Sequence, residues 1–500
     1  MKIGDVVQGI VADFASGGEG VVKIDGFPVF VPFAIVGEEV SVKITFVKKD
    51  CAFGDLIDVL SVSNDRIKPR CPYFGRCGGC SLQHISYDKQ LEIKRANVQN
   101  ALRKIGGINV DVADTVSINE WEYRNKLALP FGYKKKTNRV VLGFYEKKSH
   151  SVVPMKWCAL HGEWCAWLIE DVAEWANENR ISVYDEKTKK GVLRHLVARM
   201  LDTLVITLVV NAQRIDKIGA LATKLQRHFE KFSIYVSVNR KDTNVIMGED
   251  ATLVWGKEYK QNLGAFDAVV SPNSFLQVNN GVRDRIYDDV CEKLKDFDGE
   301  IIELYSGVGL LTAQIATRLK SANITSCEIV PSAVAGAKEL MKSIGCEDRV
   351  KCVCDDAARF VNSLGVNGEN GKGAFDSQNK TADREDKGNR ESKLPIEIVS
   401  SPFFLGDSAD FEVGVQDNNK DKNVRKALIL DPPRKGCDEQ VLQCALSAKF
   451  DRILYVSCNP QTLARDLKIL KEEYCISSVV PYDMFPQTSQ VETLVCLDRR

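Results

Sequence analysis

The sequence predicts a doubly wound α/β domain in its C-terminal half, preceded by a small β-barrel and a mixed α+β region. Three observations indicate this fold class. Strands alternate with helices from Glu300 onward, five short strands crowd into the first 65 residues, and the stretch between them mixes both signals. With 500 residues, 44% of them hydrophobic, the chain can bury several cores. We expect three domains, at residues 1–65, 66–270 and 271–500.

The N-terminal region alternates apolar and polar residues in short runs separated by Gly- and Asp-rich turns. Such alternation is typical of half-buried strands. Five strands in so little chain predict a small closed barrel of the oligonucleotide-binding type. Because the region is slightly acidic, a purely structural role stays open beside RNA binding. The predicted strands are Val6–Asp13, Gly20–Ile24, Phe27–Val31, Val40–Lys48 and Phe53–Val62.

The central region combines mixed secondary structure with excess positive charge. The whole chain has zero net charge, but residues 70–157 hold 16 Lys and Arg against 7 Asp and Glu. Such a stretch suits phosphate contacts, although a solvated surface would look the same. It includes Lys94, Arg95, Arg103, Lys104, Arg124, Lys126, Lys134, Lys135, Lys136, Arg139, Lys147 and Lys148. The predicted elements here are helices at Lys89–Arg103 and Glu163–Asn177 and strands at Leu204–Val210 and Ile234–Val238.

The C-terminal region carries the strand and helix alternation of a parallel sheet. Its third and fourth strands are separated by Gly365–Arg425, which is rich in Gly, Asn, Asp, Lys and Ser, with one apolar island at Ile396–Leu405. Because this composition buries too little surface, we predict a solvated, disordered insertion there. The predicted strands are Ile301–Leu304, Ile324–Glu328, Val350–Cys354, Ala427–Leu430 and Ile453–Ser457.

A glycine turn after the first of these strands predicts a nucleotide site. Ligands of open parallel sheets bind beyond the carboxyl ends of the strands. Tyr305-Ser306-Gly307-Val308-Gly309 lies there, Glu328 ends the next strand 21 residues after Gly307, and Asp355-Asp356 follow the third. A Gly-x-Gly alone would fit any tight turn. Two glycines with a carboxylate after each strand suit an adenosine without a pyrophosphate, which favours S-adenosylmethionine.

Cys458 is the predicted nucleophile of a pyrimidine methylation. Carbon 5 of uracil is too weakly nucleophilic to attack a sulfonium methyl, so a thiolate must first add to carbon 6 and a base must later remove the carbon 5 proton. Glu492 is the candidate base, and Asp431 can bind the pyrimidine edge. We expect the following helix to start near Thr462 and its N-terminus to lower the pKa of Cys458. A buried thiol, a surface carboxylate and a helix cap are the alternatives.

Five segments together resemble the uracil-5 RNA methyltransferases: SPNSFLQVN (271–279), ELYSGVG (303–309), DPPRKGC (431–437), SCNPQTLARDL (457–467) and DMFPQTSQVE (483–492). The resemblance implies a Rossmann-like methyltransferase domain behind a TRAM-type barrel. It implies that Cys458 is the nucleophile and Glu492 the base. By the same resemblance, Gln277, Tyr305, Glu328 and Asp431 line the methyl-donor pocket, and Phe275 packs against the target uracil. Glu303, Ser306 and Gln490 depart from the family's usual Asp, Cys and His.

A second group of cysteines predicts a metal site. The N-terminus has no apolar run typical of a signal peptide or membrane span, so we expect a cytoplasmic protein whose 16 cysteines form no disulfide scaffold. Cys71-x5-Cys77-x2-Cys80 indicates a metal without separating zinc from a four-iron cluster. The resemblance favours a [4Fe–4S] cluster with Cys158 as the fourth ligand, although Cys51 and Cys165 compete. Methyl transfer needs no electron, so the cluster is expected to brace the fold and the RNA contacts.

The expected partner is structured RNA, and no membrane is expected. The enzyme should bind a loop and swing the target uridine into its pocket. The barrel and the cluster favour 23S ribosomal RNA over transfer RNA. Two further alternatives are a cytosine-5 RNA methyltransferase, which usually has Cys where Arg434 stands, and a non-catalytic RNA-binding factor.

Overall fold

The computed structural model describes residues 1–134, 136–147, 149–365 and 424–500. The predicted insertion therefore lies outside the described residues except at its two ends, and so do Lys135 and Lys148 of the basic stretch. No helix within the described ranges is both long and apolar enough to cross a lipid bilayer.

The N-terminal strands form a closed five-stranded barrel in the order β1-β2-β3-β5-β4. Its core is made of small branched side chains that alternate inward along the strands, among them Val22, Val29, Val42 and Ile44, all fully buried. This confirms the predicted barrel. The strands are β1 (Val6–Phe14), β2 (Gly20–Ile24), β3 (Phe27–Val31), β4 (Glu39–Val47) and β5 (Ala52–Ser61).

The central region is built on a six-stranded mixed sheet with the order β11-β10-β9-β8-β6-β7. Helices α2 and α3 bury Leu168, Trp175 and Leu221 against it. Helix α1, with a π-helical turn at Leu102–Gly106, instead packs Val98 and Leu102 into the core of the C-terminal sheet. The elements are α1 (Tyr87–Ala101), β6 (Lys126–Tyr133), β7 (Val140–Leu142), α2 (Trp164–Glu178), β8 (Leu193–Met200), β9 (Leu204–Val210), α3 (Ile218–Leu225), β10 (Phe232–Val238), β11 (Thr252–Trp255), and a two-stranded ribbon of β12 (Lys260–Asn262) and β13 (Asp267–Val269).

The C-terminal region is a seven-stranded sheet in the order β16-β15-β14-β17-β18-β20-β19, with helices on both faces. The strand order reverses between β14 and β17, which marks the ligand-binding crevice of such folds. Its elements are α4 (Asn280–Lys293), β14 (Glu300–Leu304), α5 (Leu310–Arg318), β15 (Asn323–Glu328), α6 (Pro331–Ser343), β16 (Val350–Cys354), α7 (Ala357–Gly365), β17 (Lys426–Leu430), α8 (Glu439–Ser447), β18 (Arg452–Ser457), α9 (Pro460–Leu470), β19 (Tyr474–Tyr482) and β20 (Glu492–Arg499).

Two features of this sheet differ from the sequence prediction. Helix α9 begins at Pro460 rather than near Thr462, because Asn459 caps it by accepting the Gln461 N–H and proline fits the first helical position. The last strand, β20, runs antiparallel to its neighbours β18 and β19. Apolar periodicity identifies a strand but not its direction.

Candidate active site

The strand register brings three predicted site residues to one edge of the sheet. Cys327 of β15 pairs with Leu304 of β14, which pairs with Leu430 of β17. The residues that directly follow Cys327, Leu304 and Leu430 are Glu328, Tyr305 and Asp431, in that order. Since parallel strands share their carboxyl-terminal edge, these side chains line the same crevice.

The antiparallel strand β20 brings Glu492 to Cys458. Ser457, the last residue of β18, pairs with Thr493, so one residue further in the same register Cys458 stands opposite Glu492 on the neighbouring strand. Cys458 is half-buried and Glu492 is 2% exposed. The sequence suggested both residues, but only the direction of β20 places them beside each other.

Burial raises the pKa of three carboxyl groups at this edge of the sheet, those of Asp431, Glu492 and Glu303. Burial raises the pKa of Asp431, and burial together with the negative charge of Asp431 raises the pKa of Glu492 well above its usual value. The guanidinium of Arg434 opposes the shift at Glu492. Burial likewise raises the pKa of Glu303 to about 8, with a contribution from Asp431, although Thr312 donates a hydrogen bond of 2.6 Å to this carboxylate. Three acids thus share one weakly hydrated site.

The prediction that the helix N-terminus lowers the pKa of Cys458 was wrong. Burial first, and then the charges of Glu492 and Asp431, raise the pKa of the Cys458 thiol to about 11, while Arg434 lowers it. Two nearby carboxylates and a half-buried position thus outweigh the partial charge of one helix terminus. The ligand-free protein therefore holds this thiol protonated at neutral pH.

The glycine turn fixes the carboxylate of Glu328. Its Oε2 accepts the Gly307 N–H at 3.0 Å, and its Oε1 accepts the Val330 N–H at 2.9 Å. Gly309 has a φ of +76°, and a Cβ there would stand 2.9 Å from Ala337 Cβ, so glycine is required. Tyr305 also has a positive φ, of 65°. The turn is therefore a preformed cradle of the kind that an adenosine ligand needs.

The segment with Gln277 and Phe275 connects the central sheet to the catalytic sheet. Asn125 donates from its backbone N–H to Val278 O at 2.9 Å and from its side chain to Gln277 O at 3.0 Å. The Gln277 side chain is half-buried, whereas the Phe275 ring is 70% exposed. Phe275 thus presents an aromatic face to solvent, and its contact with a base stays a prediction.

The four predicted metal ligands line one cavity of about 790 Å³, which we call the cysteine cavity. Cys51 and Cys165 do not line it. Cys165 is fully buried, and its Sγ accepts the Cys158 N–H at 3.2 Å, so it supports a cavity residue. Within the described ranges, no group of three or more His, Cys, Asp or Glu side chains is arranged to hold a metal ion. The cavity is lined by Cys71, Cys77, Cys80 and Cys158 and extends to Arg124, Lys147, His161, Arg434 and Gln490.

Sequence reasoning missed two features of the site. Arg434 was noted only as a replacement for cysteine, yet its charge acts on both Cys458 and Glu492. Lys94 was counted with the phosphate-binding residues, but it is fully buried and ion-paired with Asp483. The DPPR motif could have indicated the first; the second joins residues far apart in the sequence and leaves no local signal.

Comparisons with known proteins agree with this geometry. A model of the tRNA (uracil-5-)-methyltransferase family matches residues 86–360 and 414–500, and a TRAM-domain model matches residues 2–57. An uncharacterised RNA methyltransferase of Staphylococcus epidermidis is 32% identical over 100% of this chain and 99% of its own length. One of Halalkalibacterium halodurans is 33% identical over 99% and 97%.

A solved structure matches across the whole chain. The tRNA (uracil-54, C5)-methyltransferase of Pyrococcus abyssi, in complex with S-adenosyl-L-homocysteine, is 26% identical with a TM-score of 0.69, covering 98% of this chain and 99% of its own. The predicted fold class, the family resemblance, an RNA substrate and S-adenosylmethionine as methyl donor are thereby confirmed. This chain is an enzyme that belongs to the uracil-5 RNA methyltransferase family.

Proposed function

We propose that this enzyme methylates carbon 5 of a specific uridine in 23S ribosomal RNA by covalent catalysis. Cys458 is the nucleophile, Glu492 the base, and Asp431 the group that binds the pyrimidine edge. The observation that carries the proposal is the Ser457–Thr493 pair, which sets a thiol and a buried carboxyl side by side at the ligand-binding edge. A carbon 5 methylation needs both groups within reach of one ring.

The first step is addition of Cys458 to carbon 6. The thiol gives its proton to water, its sulfur bonds to carbon 6, and the displaced π electrons move toward the carbon 4 oxygen to make an enolate that is nucleophilic at carbon 5. S-adenosylmethionine, when bound, supplies the electrophilic methyl group that carbon 5 takes. Because the Cys458 pKa is raised to about 11, the positive charge that the donor would bring to the pocket would favour the thiolate.

The second half of the reaction belongs to Glu492. Its carboxylate takes the proton from carbon 5, the electron pair re-forms the bond between carbons 5 and 6, and the Cys458 sulfur leaves as a thiolate. Burial raises the pKa of Glu492, which makes it a stronger base than an exposed carboxylate. Asp431 would hydrogen-bond the pyrimidine edge in its protonated form, since burial raises its pKa as well.

The donor pocket is proposed to use Gln277, Tyr305, Glu328 and Asp431. Glu328 is held by two backbone N–H groups, so its carboxylate is fixed for ribose hydroxyls before the donor binds. On the RNA side, the exposed ring of Phe275 is available to stack on the flipped uracil. Arg434 and Lys147 line the cysteine cavity and supply positive charge for phosphates.

We also propose a [4Fe–4S] cluster held by Cys71, Cys77, Cys80 and Cys158. Zinc also takes four thiolates, so the choice of a cluster over zinc rests on the family resemblance. Iron–sulfur clusters take the same donors around a larger core. Two buried polar atoms that face this cavity, Arg124 Nε and His161 Nδ1, find no hydrogen-bond partner among the described residues, and cluster sulfur would accept from the guanidinium. A cluster there would cross-link two chain segments.

Transfer RNA is the second candidate substrate, favoured by the Pyrococcus abyssi structure, whose protein is a tRNA methyltransferase. Mapping 5-methyluridine by mass spectrometry in RNA from cells with and without the gene separates the two. We expect one or more sites to vanish from 23S ribosomal RNA while tRNA stays unchanged. Loss confined to tRNA would contradict the ribosomal proposal and leave the chemistry intact.

A further inference from the structure

The segment between β19 and β20, residues 483–491, leads directly into Glu492 and is held mainly by residues 81–123. We call it the base loop. Gln487 is its most tightly held residue: it is 1% exposed and has a φ of +69°, which a non-glycine residue keeps only where its surroundings enforce it. What holds Gln487 therefore fixes the path of the chain into β20.

Every polar group of Gln487 has a partner from outside the catalytic sheet. Its carbonyl accepts the N–H groups of Ser81 and Leu82, each at 3.0 Å. Its own N–H donates to Gln90 Oε1 at 3.1 Å, and Gln90 Nε2 donates back to Gln487 Oε1 at 3.1 Å. Its side-chain amide also donates to Glu120 Oε1 at 3.2 Å. Five hydrogen bonds converge on one residue.

Three further contacts hold the ends of the base loop. At its start, Lys94 of α1 forms a fully buried ion pair with Asp483 and donates to Phe485 O at 3.0 Å. Near its end, the Ser489 N–H donates to Ser81 Oγ at 3.1 Å. Ser81 directly follows Cys80, a lining residue of the cysteine cavity. The loop that precedes the base and the chain that follows the third cysteine thus share one hydrogen-bond network.

We infer that Gln487 is a positioning residue for Glu492, and that the chain segment beyond Cys80 sets where the base stands. The inference rests on the proposed role of Glu492. It predicts a selective defect, because Cys458 lies in the turn between β18 and α9, and no hydrogen bond among the described residues joins Cys458 itself to the base loop. Addition to carbon 6 and methyl transfer should proceed, and only removal of the carbon 5 proton should slow. The methylated RNA should then stay bonded to the enzyme.

The test uses Gln487→Gly in the full-length enzyme with substrate RNA tritiated at carbon 5 of its uridines. Glycine accepts the positive φ and keeps the backbone hydrogen bonds while removing the side-chain ones. Gln487→Asn is a second variant, since asparagine tolerates this conformation and is too short to reach both partners. The matched control is Gln99→Met. Gln99 lies on α1, the helix that carries Gln90, and the substitution removes its hydrogen bond of 2.9 Å to Val110 O.

We expect Gln487→Gly to methylate RNA in a single turnover at close to the wild-type rate, and to release tritium on the order of 10- to 100-fold more slowly. A denaturing gel should show the methylated adduct, and Gln99→Met should show none. Equal slowing of methyl transfer and tritium release in both Gln487 variants, or an adduct in Gln99→Met, would overturn the inference. Glu492→Gln serves as a reference: if it also forms no adduct, the proposed role of Glu492 fails instead, whereas an adduct in Glu492→Gln alone overturns only the inference about Gln487.

Discussion

The thiol at the catalytic edge and the thiols of the cysteine cavity differ in what surrounds them, although burial raises the pKa of all of them. Burial raises the pKa of Cys458 to about 11 and that of Cys80 to about 12. Cys458 faces two carboxylates and one guanidinium. Cys80 faces Cys77 and Cys71, which raise its pKa further, and Gln83 and Arg124, which lower it. A thiol among acid–base groups can exchange protons with them, whereas thiols among thiols need a cation to ionise together.

Replacing the nucleophile, Cys458, should lower methylation more than replacing any thiol of the cysteine cavity. Cys458→Ala should lower methylation on the order of 10⁴-fold or more, because it removes the thiol that adds to carbon 6 and alanine has no nucleophile to replace it. Single-turnover incorporation of labelled methyl groups measures the effect. Cys475→Ala, at an exposed position in β19, is the control and should behave as wild type. Full turnover by Cys458→Ala would refute covalent catalysis.

Removing the base should separate the two halves of the reaction. Glu492→Gln keeps the shape of the side chain but cannot accept a proton, so we expect turnover to fall by about 10²- to 10⁴-fold. The methylated RNA should remain bonded to Cys458 as an adduct that survives denaturing electrophoresis. Glu473→Gln, at an exposed position after α9, should form none. Rapid release of product by Glu492→Gln would assign the proton transfer to another group.

The fold was largely predictable because its strands have strong local patterns. The strand Val350–Cys354 was predicted with the bounds that the structure has, and so were Gly20–Ile24 and Leu204–Val210. The carboxyl ends of β14, β15 and β17 followed from the same patterns, and with them Tyr305, Glu328 and Asp431. The residues that each of these strands contributes to the site could therefore be predicted from the local sequence.

Contacts between distant segments could not be predicted in this way. The direction of β20, which sets Glu492 beside Cys458, depends on pairing with β18 and not on the composition of β20. Lys94 looked like a surface cation because the carboxylate that neutralises it, Asp483, is 389 residues away. The predicted pKa of Cys458 was wrong for the same reason, since burial in the assembled sheet and then the carboxylates of Glu492 and Asp431, which come from other parts of the chain, raise it.

Substituting a cysteine of the cysteine cavity should remove the bound metal but lower methylation only modestly. Cys80→Ser should lose iron and the visible absorption of the cluster, because a cluster needs all four thiolates. The melting temperature should fall with it, since one cross-link between two chain segments is gone. Methylation should fall by about tenfold or less, by way of the base loop that Ser81 holds.

The matched variant for this site is Cys165→Ser, which alters a buried thiol beside Cys158 that does not line the cavity. It should retain iron and sulfide at the wild-type ratio. Zinc in place of iron in the wild-type protein would contradict the proposed cluster. Equal loss of iron from both variants would contradict the choice of Cys158 over Cys165.

The smallest expected effect concerns Arg434, whose charge tunes the catalytic edge. Arg434 lowers the pKa of Cys458 and opposes the rise at Glu492. Both groups act in their deprotonated forms, so the rate should rise with pH while the pH lies below the raised pKa of Cys458, and removing the guanidinium should move that rise to higher pH. We expect Arg434→Met to slow adduct formation by about 3- to 10-fold at neutral pH and to recover at alkaline pH.

Single-turnover rates at saturating RNA, from about pH 6 to about pH 9.5, test this expectation. Arg434→Lys keeps the charge and should stay close to wild type, and Lys435→Met removes an exposed neighbouring cation that pairs with Asp438. A wild-type rate that is flat above neutral pH would mean that Cys458 is already ionised in the complex. The N-terminus of α9 and the bound donor would then outweigh Glu492 and Asp431, and the catalytic thiol would differ from the thiols of the cavity by its own pKa as well as by its neighbours.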